Sequence, residues 1–448
     1  MWWIVAIGCR AEGQHGVDGP STQGEPPSAA AGWEALRYGG YVGSGIPADL
    51  WFDLLGTDDE NLLDRDGRSA GLDEAFNLFA APNGVEVVGG VTCFGCHGGE
   101  IDGQFVPGLG DSRIDLRASQ DSSLFDVLDS LIEARYGANS PEAEAYAPFA
   151  QGSAAVGPYT VAPFVGANPA FSIERAAVAH RDPSTLAWTD TLQYVVPDGT
   201  LWCDTPPLWN ADRKSRLYWT GFGTGLPERM LMQISVVGLT DQAQAEEIVT
   251  DFDDIRAWME ALEPPPFPDP VDEDLAATGQ QVFEASCASC HGTYGDAPTD
   301  PDRWLPLDEI GTDPTYALGF VNSPFVDWVG ASWFGEGAVD PGDAPGYLAP
   351  PLDGIWATAP YLHNGSVPDL ASLLDPALRP VRWRRDPLDT SLDHVAMGWP
   401  YTVPPADEAN DGWTYDTTVV GAGNGGHVYG AALSADERAA VLEYLKTL

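Results

Sequence analysis

The chain has 448 residues, of which 44% are hydrophobic, so it can bury a sizeable core and is not generally disordered. Its formal net charge of −46 argues against nucleic-acid binding, because an acidic surface repels phosphate backbones. Such a surface suits a cationic protein partner, with a solvated surface that has no partner as the alternative. The 50 glycines and 38 prolines predict long ordered loops rather than a compact helical bundle.

The N-terminus, MWWIVAIGCR, resembles the end of a secretory signal followed by a lipobox that ends at Cys9. A basic n-region is missing, so a disordered terminus with a chance cysteine is the alternative. Residues 11–32 are small, polar and rich in Pro and Gly, which predicts a flexible tether. We therefore expect residues 1–32 to be a signal-like start and tether. The body would lie on the periplasmic or extracellular side, with lipid anchoring at Cys9 as one option.

Residues 33–263 form the first predicted region of the body. It ends in a helix, because apolar residues such as Ile248, Phe252 and Ile255 recur at helical spacing. The prolines that follow must stop this helix, since proline lacks an amide donor and clashes with the preceding turn. Residues 264–270 (PPPFPDP) are then predicted to be a stiff, extended linker.

Residues 271–448 form the second predicted region. A short helix through Leu275 should lead into Cys287, and a final helix should begin at a capping box made by Ser434 and Glu437. Strand-like alternation is scarce, and the sequence shows no repeat of fixed period. The predicted fold class is mainly α, with short helices joined by long ordered loops and a large buried ligand completing the core.

Four of the six cysteines lie in two C-x-x-C-H sequences. They consist of Cys93, Cys96 and His97, and of Cys287, Cys290 and His291. This is the attachment pattern of c-type haem, in which two thiols bond the porphyrin and the histidine ligates the iron. The cysteine pairs could instead hold one zinc, although zinc needs no histidine after each pair. Redox dithiols are a further alternative, but the thioredoxin-like context is lacking. We predict two cytochrome c-like haem domains, each with covalently bound haem c.

The remaining histidines bear on whether each iron has a second protein ligand or an open position for oxygen or peroxide. His15 lies in the tether, and His180 and His394 are predicted to be loop residues. His363 and His427 are the candidate ligands, and the glycines beside His427 would let the backbone approach a flat macrocycle. A hydrogen-bonded structural histidine is the alternative for both.

The run A-P-Y-L-H-N-G at residues 359–365, together with the two haem sequences, resembles the bacterial di-haem cytochrome c peroxidase and MauG superfamily. The longer run at residues 351–374 and G-N-G-G-H-V-Y-G at residues 423–430 look closest to the RoxA-type rubber oxygenases. The resemblance covers most of residues 40–448. It implies a reactive haem on His97 and an electron-relay haem on His291.

The resemblance also suggests a second ligand for the relay haem. Classical peroxidases of the superfamily use a methionine downstream of the A-P-Y-x-H histidine, but Ala377 occupies that position here. The RoxA-like pattern implies His427 as the second ligand of the His291 iron. His363 would then lie beside that haem as a hydrogen-bonding residue.

Two further roles come from the resemblance. Peroxidases of the superfamily carry a glutamate that transfers the protons of peroxide. Glu228 follows residues 219–221 at the spacing of that glutamate, so the resemblance implies this role for it. A surface ion pair between Glu228 and Arg229 is the alternative. Trp209 is expected between the haems as an electron relay, with a core tryptophan as the alternative. Superfamily members often hold calcium, for which residues 58–66 could supply oxygens, or those residues form a solvated acidic loop.

Three functions are consistent with these features. The first is peroxide reduction at the His97 haem, with electrons passed from a small redox protein through the His291 haem. The second is an oxygenase that binds dioxygen at the same open haem and cleaves a hydrophobic substrate. The third is a pure electron carrier with two six-coordinate irons. We favour an enzyme, and Glu228 favours peroxide over dioxygen.

Overall fold

A computed structural model describes residues 26–58, 60–118, 122–209, 211–224, 227–335, 345–386, 388–409 and 411–448. Cys9 and His15 lie outside these described residues. Within them, none of the helices has the length and apolar character needed to span a bilayer.

The described chain is rich in short helices joined by long loops, which confirms the mainly α prediction in its general form. Helices in the first part of the chain are α1 (Ala29–Tyr38), α2 (Ala48–Leu55), α3 (Phe94–His97), α4 (Ser122–Tyr136), α5 (Pro141–Val156), α6 (Ala170–Ala179), α7 (Pro227–Leu231) and α8 (Gln242–Ala261). Those in the second part are α9 (Glu273–Ser286), α10 (Ala288–His291), α11 (Leu307–Ile310), α12 (Thr315–Val321), α13 (Pro324–Ala331), α14 (Leu370–Leu374) and α15 (Ala435–Leu445). A 3-10 helix at Met232–Val237 follows α7 directly.

The strands are short and antiparallel. They are β1 (Ile46–Pro47), β2 (Phe76–Ala80), β3 (Glu86–Gly90), β4 (Gly98–Ile101), β5 (Gln104–Pro107), β6 (Trp304–Pro306), β7 (Gly346–Leu348), β8 (Arg382–Arg384) and β9 (Thr414–Asp416). Strands β1, β3 and β2 form one sheet in that order, with Leu78 opposite Val88. The other strands pair as β4–β5, β6–β7 and β8–β9.

Several helix ends follow from local sequence. The predicted capping box at α15 is confirmed, because the Ser434 side chain accepts from the Glu437 amide while the Glu437 carboxylate accepts from the Ser434 amide. Helix α8 ends before the prolines, as predicted. Helix α1, however, begins at Ala29 with Ser28 as its N-cap, so the last residues of the predicted tether are helical. The boundary of the folded body therefore precedes residue 32.

Two helix pairs cross at glycines. In the first pair, a Cβ added at Gly32 of α1 would lie 2.0 Å from the carbonyl oxygen of Asp254 in α8. In the second, a Cβ added at Gly279 of α9 would lie 1.9 Å from the carbonyl oxygen of Ala440 in α15. Only glycine permits such close backbone contact. Each predicted region thus has its first and last helices packed directly against each other.

A pair of loops repeats between the two regions. Each begins with Pro-Pro-Leu, at residues 206–208 and 350–352, and after the same number of residues reaches a tight turn. In both turns two residues have φ of +67°: Tyr218 and Gly221 in the first turn, and Leu362 and Gly365 in the second. The flanking bridges match as well, since Leu217 pairs with Gly223 and Tyr361 with Val367. The sequence analysis missed this structural repeat.

The cores do not follow the two sequence regions. Buried residues of α12 and α13, such as Phe320 and Phe325, pack into the core of the first region. Conversely, Trp209 packs with Phe283 in a second core that belongs mainly to the C-terminal region. The linker contains no helix or strand, and it is packed, because Trp356 Nε1 donates to the carbonyl of Pro265 at 3.0 Å.

Candidate haem-binding site

A cavity of about 1240 Å³ is lined by both C-x-x-C-H sequences. Cofactor pockets in proteins usually hold about 300–1,000 Å³, so this cavity is large enough for more than one ordinary ligand. Its walls are mainly apolar, and they include His363 and His427 as well as His97 and His291. The structure therefore brings the predicted haem-binding residues to one internal space.

Each C-x-x-C-H sequence forms a single helical turn. In α3 the amide of His97 donates to the carbonyl of Cys93 at 2.8 Å, and in α10 the amide of His291 donates to Cys287 at 3.1 Å. Residues three and four apart share one face of a helix, so both thiols and the imidazole can face one planar ligand. The thiols of Cys93, Cys96, Cys287 and Cys290 are free.

Carbonyl groups of the repeated loops lie behind the two histidines. His291 Nδ1 lies 2.8 Å from the carbonyl oxygen of Pro350, which fixes the ring with Nε2 directed away from that loop. Burial lowers the pKa of His97 to about 4 and the Pro206 carbonyl opposes this shift, although His97 Nδ1 has no hydrogen-bond partner among the residues described. Burial also lowers the pKa of His291. Neutral imidazole is the form that binds a metal.

His427 lies opposite His291. Their ring centroids are 6.2 Å apart, and the rings are inclined by 59°. Metal–imidazole bonds of about 2.0–2.1 Å place two rings on one metal roughly 6 Å apart between centroids. The pair therefore has the separation that a six-coordinate iron between two histidines requires.

The loop around His427 is fixed by the backbone. The amide of His427 donates to the carbonyl of Ile310 at 2.9 Å, and Arg379 donates to the carbonyls of Gly426 and His427. Gly426 has a φ of +71°, and a Cβ there would lie 2.2 Å from the backbone of Gly311. Burial lowers the pKa of His427 to about 3, and His427 Nδ1 has no hydrogen-bond partner among the described residues.

His363 faces the same cavity but makes a different set of contacts. Its ring stacks on Tyr347 with centroids 3.9 Å apart, and its buried Nε2 has no partner in the described chain. Burial lowers the pKa of His363 to about 3. Trp219 takes the equivalent position in the first loop and donates from Nε1 to the carbonyl of Asp204 at 2.8 Å. An unpartnered nitrogen beside a cavity suits hydrogen bonding to a bound cofactor.

His180 and His394 lie away from the cavity. His180 stacks on Trp188 with ring centroids 4.5 Å apart. His394 lies between two carboxylates, with Nε2 3.0 Å from Asp102 and Nδ1 2.7 Å from Asp269. The structure thus places both histidines in roles other than lining the cavity.

The C-terminal part of the chain matches known cytochromes. Residues 346–384 match the family described as "RoxA-like, cytochrome c-like". Over these residues the chain is similar to RoxA-type cytochromes c. The match includes Pro350, behind His291, and His363, so it covers the second of the repeated loops. A cytochrome c-like domain implies covalently bound haem c. The free thiols and neutral imidazoles of the two C-x-x-C-H sequences lie outside the matched residues, but they and the cavity that they line fit that group.

Two relatives from Sinorhizobium fredii (strain NBRC 101917 / NGR234) are similar over part of their length. "Uncharacterized protein y4iM" is 28% identical over 249 residues, which covers 51% of this chain and 56% of the relative. "Uncharacterized protein y4iJ" is 32% identical over 255 residues, which covers 42% of this chain and 41% of the relative. The chain therefore spans about half the length of the curated relatives it matches.

Glu228 does not line the cavity, although the sequence analysis expected its carboxylate there. It forms an ion pair with Arg256 of α8, and its side chain is only 13% exposed. The partner also differs from the expected Arg229, whose Nη1 donates to the carbonyl of Trp333 at 2.6 Å. The carboxylate of Glu228 therefore serves the packing of α7 against α8.

Glu174 of α6 is a carboxylate that lines the cavity and that the sequence analysis missed. No hydrogen bond or ion pair joins its side chain to another residue that the structure describes. Burial raises the pKa of Glu174 to about 8. The only sequence signal was a single acid within the apolar stretch AFSIERAAVA, which also suits a surface position.

Trp209 is completely buried and connects the two repeated loops. Its Nε1 donates at 2.9 Å to the carbonyl of Asp353, which holds the equivalent position in the second loop. The carbonyls of Pro206 and Pro350, three residues upstream in each loop, lie beside His97 and His291. The indole therefore lies between the segments that support the two histidines, although it does not itself line the cavity.

The wall of the first region is mainly apolar and contains no histidine opposite His97 among the described residues. Helices α5 and α6 pack against each other and against the 3-10 helix at Met232–Val237. Phe149, Phe171 and Ile234 from these elements line the cavity. This 3-10 helix precedes α8, much as the loop with His427 precedes α15. The two regions thus differ at the position where a second ligand would lie.

One side of the cavity reaches the surface between α2 and α4. Four of its lining residues are exposed apolar side chains: Leu54 (49%), Leu55 (66%), Val91 (41%) and Val127 (55%). Asp59, within the range expected to bind calcium, lies outside the described residues, and the ranges described contain no group of three or more ligating side chains that could hold a metal ion. In residues 58–66 the buried Arg65 guanidinium bonds backbone carbonyls instead, including that of Phe76.

Proposed function

We propose that the protein is an extracytoplasmic di-haem c-type oxidoreductase in which two different haems share the work. Two haems c would be held by Cys93, Cys96 and His97, and by Cys287, Cys290 and His291. One observation carries the proposal. His427 lies at ligand distance across from His291, whereas no histidine among the described residues lies across from His97.

The difference between the two histidines suggests a division of labour. An iron between His291 and His427 would have both axial positions filled, which suits electron transfer. An iron on His97 would keep one position open for a small oxidant. Two nitrogen ligands also give a lower reduction potential than histidine with methionine, because the thioether favours reduced iron.

The haems supply the redox chemistry when bound, and the chain orients them and excludes water. The Pro350 carbonyl holds the His291 ring, and Arg379 holds the loop that carries His427. The apolar walls of the cavity keep bulk water from the open position. Trp209, buried between the repeated loops, is placed to help electrons pass from one haem to the other.

We infer peroxide reduction as the reaction, because Glu174, a carboxylate with no hydrogen-bond or ion-pair partner among the described residues, lines the cavity. A small redox protein would donate the electrons, and the net charge of −46 favours a cationic donor. The second candidate is an oxygenase that acts on an apolar substrate. The exposed apolar rim formed by Leu54, Leu55, Val91 and Val127 favours it, since peroxide needs no such entrance.

The site of action follows from the cofactor. Haem c is attached outside the cytoplasm, so we propose a periplasmic or extracellular location, with Cys9 as the residue that would carry a lipid anchor. Fractionation of cells that produce the full chain, with Cys9→Ser as the comparison, would test the anchor. Release of the variant but not of the wild type into the soluble fraction is the expected result.

The proposal is tested by counting and typing the haems. Acid–acetone extraction should leave both haems on the protein, and a Cys93→Ala, Cys96→Ala variant should keep one. Electron paramagnetic resonance of the oxidised protein should show one high-spin and one low-spin haem. Two low-spin haems would identify a carrier. Peroxide reduction with a reduced small cytochrome, measured beside oxygen uptake with polyisoprene, then separates the two enzymes.

A further inference from the structure

Glu174 lies on the cavity wall of the first region, on helix α6. The helix also presents Phe171 to the cavity, three residues earlier and on the same face. The neighbouring cation on this helix, Arg175, is directed elsewhere, because its guanidinium donates to the carbonyls of Pro197 and Gly199. The carboxylate of Glu174 therefore faces the cavity without a counter-ion from its own helix.

Three ionisable side chains that interact electrostatically with Glu174 are uncharged at neutral pH. These side chains are Tyr218 from the first repeated loop, Tyr316 of α12 and the buried thiol of Cys203. Burial raises the pKa of all three, so none of them supplies a charge to pair with the carboxylate. A carboxyl group in such surroundings can both accept a proton from a substrate and return it near neutral pH.

The position of α6 relates Glu174 to the open side of the His97 haem. Helix α6 packs against the 3-10 helix at Met232–Val237, which precedes α8. In the second region, the segment before α15 carries His427, across from His291. By this correspondence, the wall that carries Glu174 would face the side of the His97 haem that has no second histidine ligand. Glu228 does not itself line the cavity, and its carboxylate is held in an ion pair with Arg256, a cation that does line it.

We propose that Glu174, and not Glu228, is the catalytic residue that transfers the proton in peroxide reduction. This inference rests on the proposed function. Hydrogen peroxide takes up two electrons and two protons and gives two waters, and the electrons come from the reduced small redox protein. Glu174 accepts the proton from one peroxide oxygen and returns it to the other, which leaves as water when the O–O bond breaks. General acid–base groups of this kind contribute about 10²–10⁴-fold.

Cyanide binding tests the inference without turnover. Hydrogen cyanide must lose its proton to bind ferric haem as the anion, so the same base should assist it. Glu174→Gln should slow cyanide binding to the oxidised protein, and peroxide reduction, by at least about 100-fold. Glu228→Gln should leave both rates within a few-fold of the wild type. Glu247→Gln, at an exposed position on α8, controls for the loss of one negative charge.

The outcomes distinguish the inference from the proposed function. If the wild type binds no cyanide and both haems are low-spin, the proposed function fails. If the wild type binds cyanide and reduces peroxide but Glu174→Gln matches it, or if Glu228→Gln is the slow variant, the inference alone is wrong. Glu174→Asp is the control for a folding defect in Glu174→Gln. It keeps a carboxylate, so it should recover part of the rate of cyanide binding with unchanged haem content.

Discussion

The crossing of α9 and α15 makes a quantitative prediction about the second predicted region. Replacing Gly279 by alanine would put a Cβ 1.9 Å from the carbonyl oxygen of Ala440, whereas ordinary contacts of this kind begin near 3.4 Å. The helices would have to separate by roughly 1.5 Å along that direction to restore normal contact. Overpacking of this kind typically costs about 1–3 kcal/mol, and alanine returns up to about 1 kcal/mol of helix propensity.

We therefore expect Gly279→Ala to lower the free energy of unfolding by about 1–2 kcal/mol or more. The displacement should also reach the haem attachment, because α9 ends at Ser286, directly before Cys287. The assay is urea unfolding of the haem-loaded protein followed by far-ultraviolet circular dichroism, together with the haem content per chain. A loss of stability with reduced haem content in the C-terminal half is the expected result.

Gly330→Ala is the matched control for this substitution. Gly330 lies in helix α13, and a Cβ added there would meet nothing within 4 Å. The control should be neutral or stabilising by up to about 1 kcal/mol, because alanine is the better helix former. If Gly279→Ala proves as stable as Gly330→Ala, the close crossing of α9 and α15 does not exist as described, and the argument fails.

Two further predictions concern histidines. His427→Ala should convert the single low-spin haem to high-spin while His363→Ala leaves the spin states unchanged, as measured by electron paramagnetic resonance; the reverse pattern would make His363 the ligand. His394→Ala should reduce stability more near pH 5.5 than near pH 8.5, as measured by urea unfolding at both pH values. Burial lowers the pKa of His394, but hydrogen bonds to Asp269 and Asp102 outweigh it and raise the pKa overall. The stabilisation is therefore complete below about pH 6.5 and is lost as the pH rises through the folded-state pKa; an equal loss at both pH values would contradict this.

Local chemistry made part of the structure predictable. The capping box at Ser434 satisfies its own backbone amides, and the prolines after α8 forbid another helical turn, so both helix limits follow from a few adjacent residues. The C-x-x-C-H sequences are equally local, because a single turn brings the thiols and the imidazole to one face. Such features depend little on the rest of the chain.

The acid in the cavity could not be predicted in the same way. Glu228 has the spacing of the glutamate in the peroxidase motif. Its environment, however, is set by Arg256, which lies on another helix and holds the carboxylate in an ion pair. Glu174 belongs to no recognisable sequence motif. Its exposure to the cavity depends on how α6 packs against α5 and the 3-10 helix at Met232–Val237. The repeated loops were missed for a related reason. They share backbone geometry at Tyr218 and Leu362, while their side chains differ.

The two regions share a scaffold, so the difference between the two proposed haem sites should depend on very few residues. Ile234 precedes α8 by the same number of residues as His427 precedes α15, and it lines the cavity. Ile234→His should therefore offer the His97 iron a second imidazole and convert its high-spin signal to low-spin, with loss of cyanide binding and peroxide reduction. Ile234→Asn adds a polar group without an imidazole and should keep the high-spin signal. If the histidine variant binds both haems yet stays high-spin, position 234 does not face the open side of that iron, and the correspondence between the two regions breaks down there.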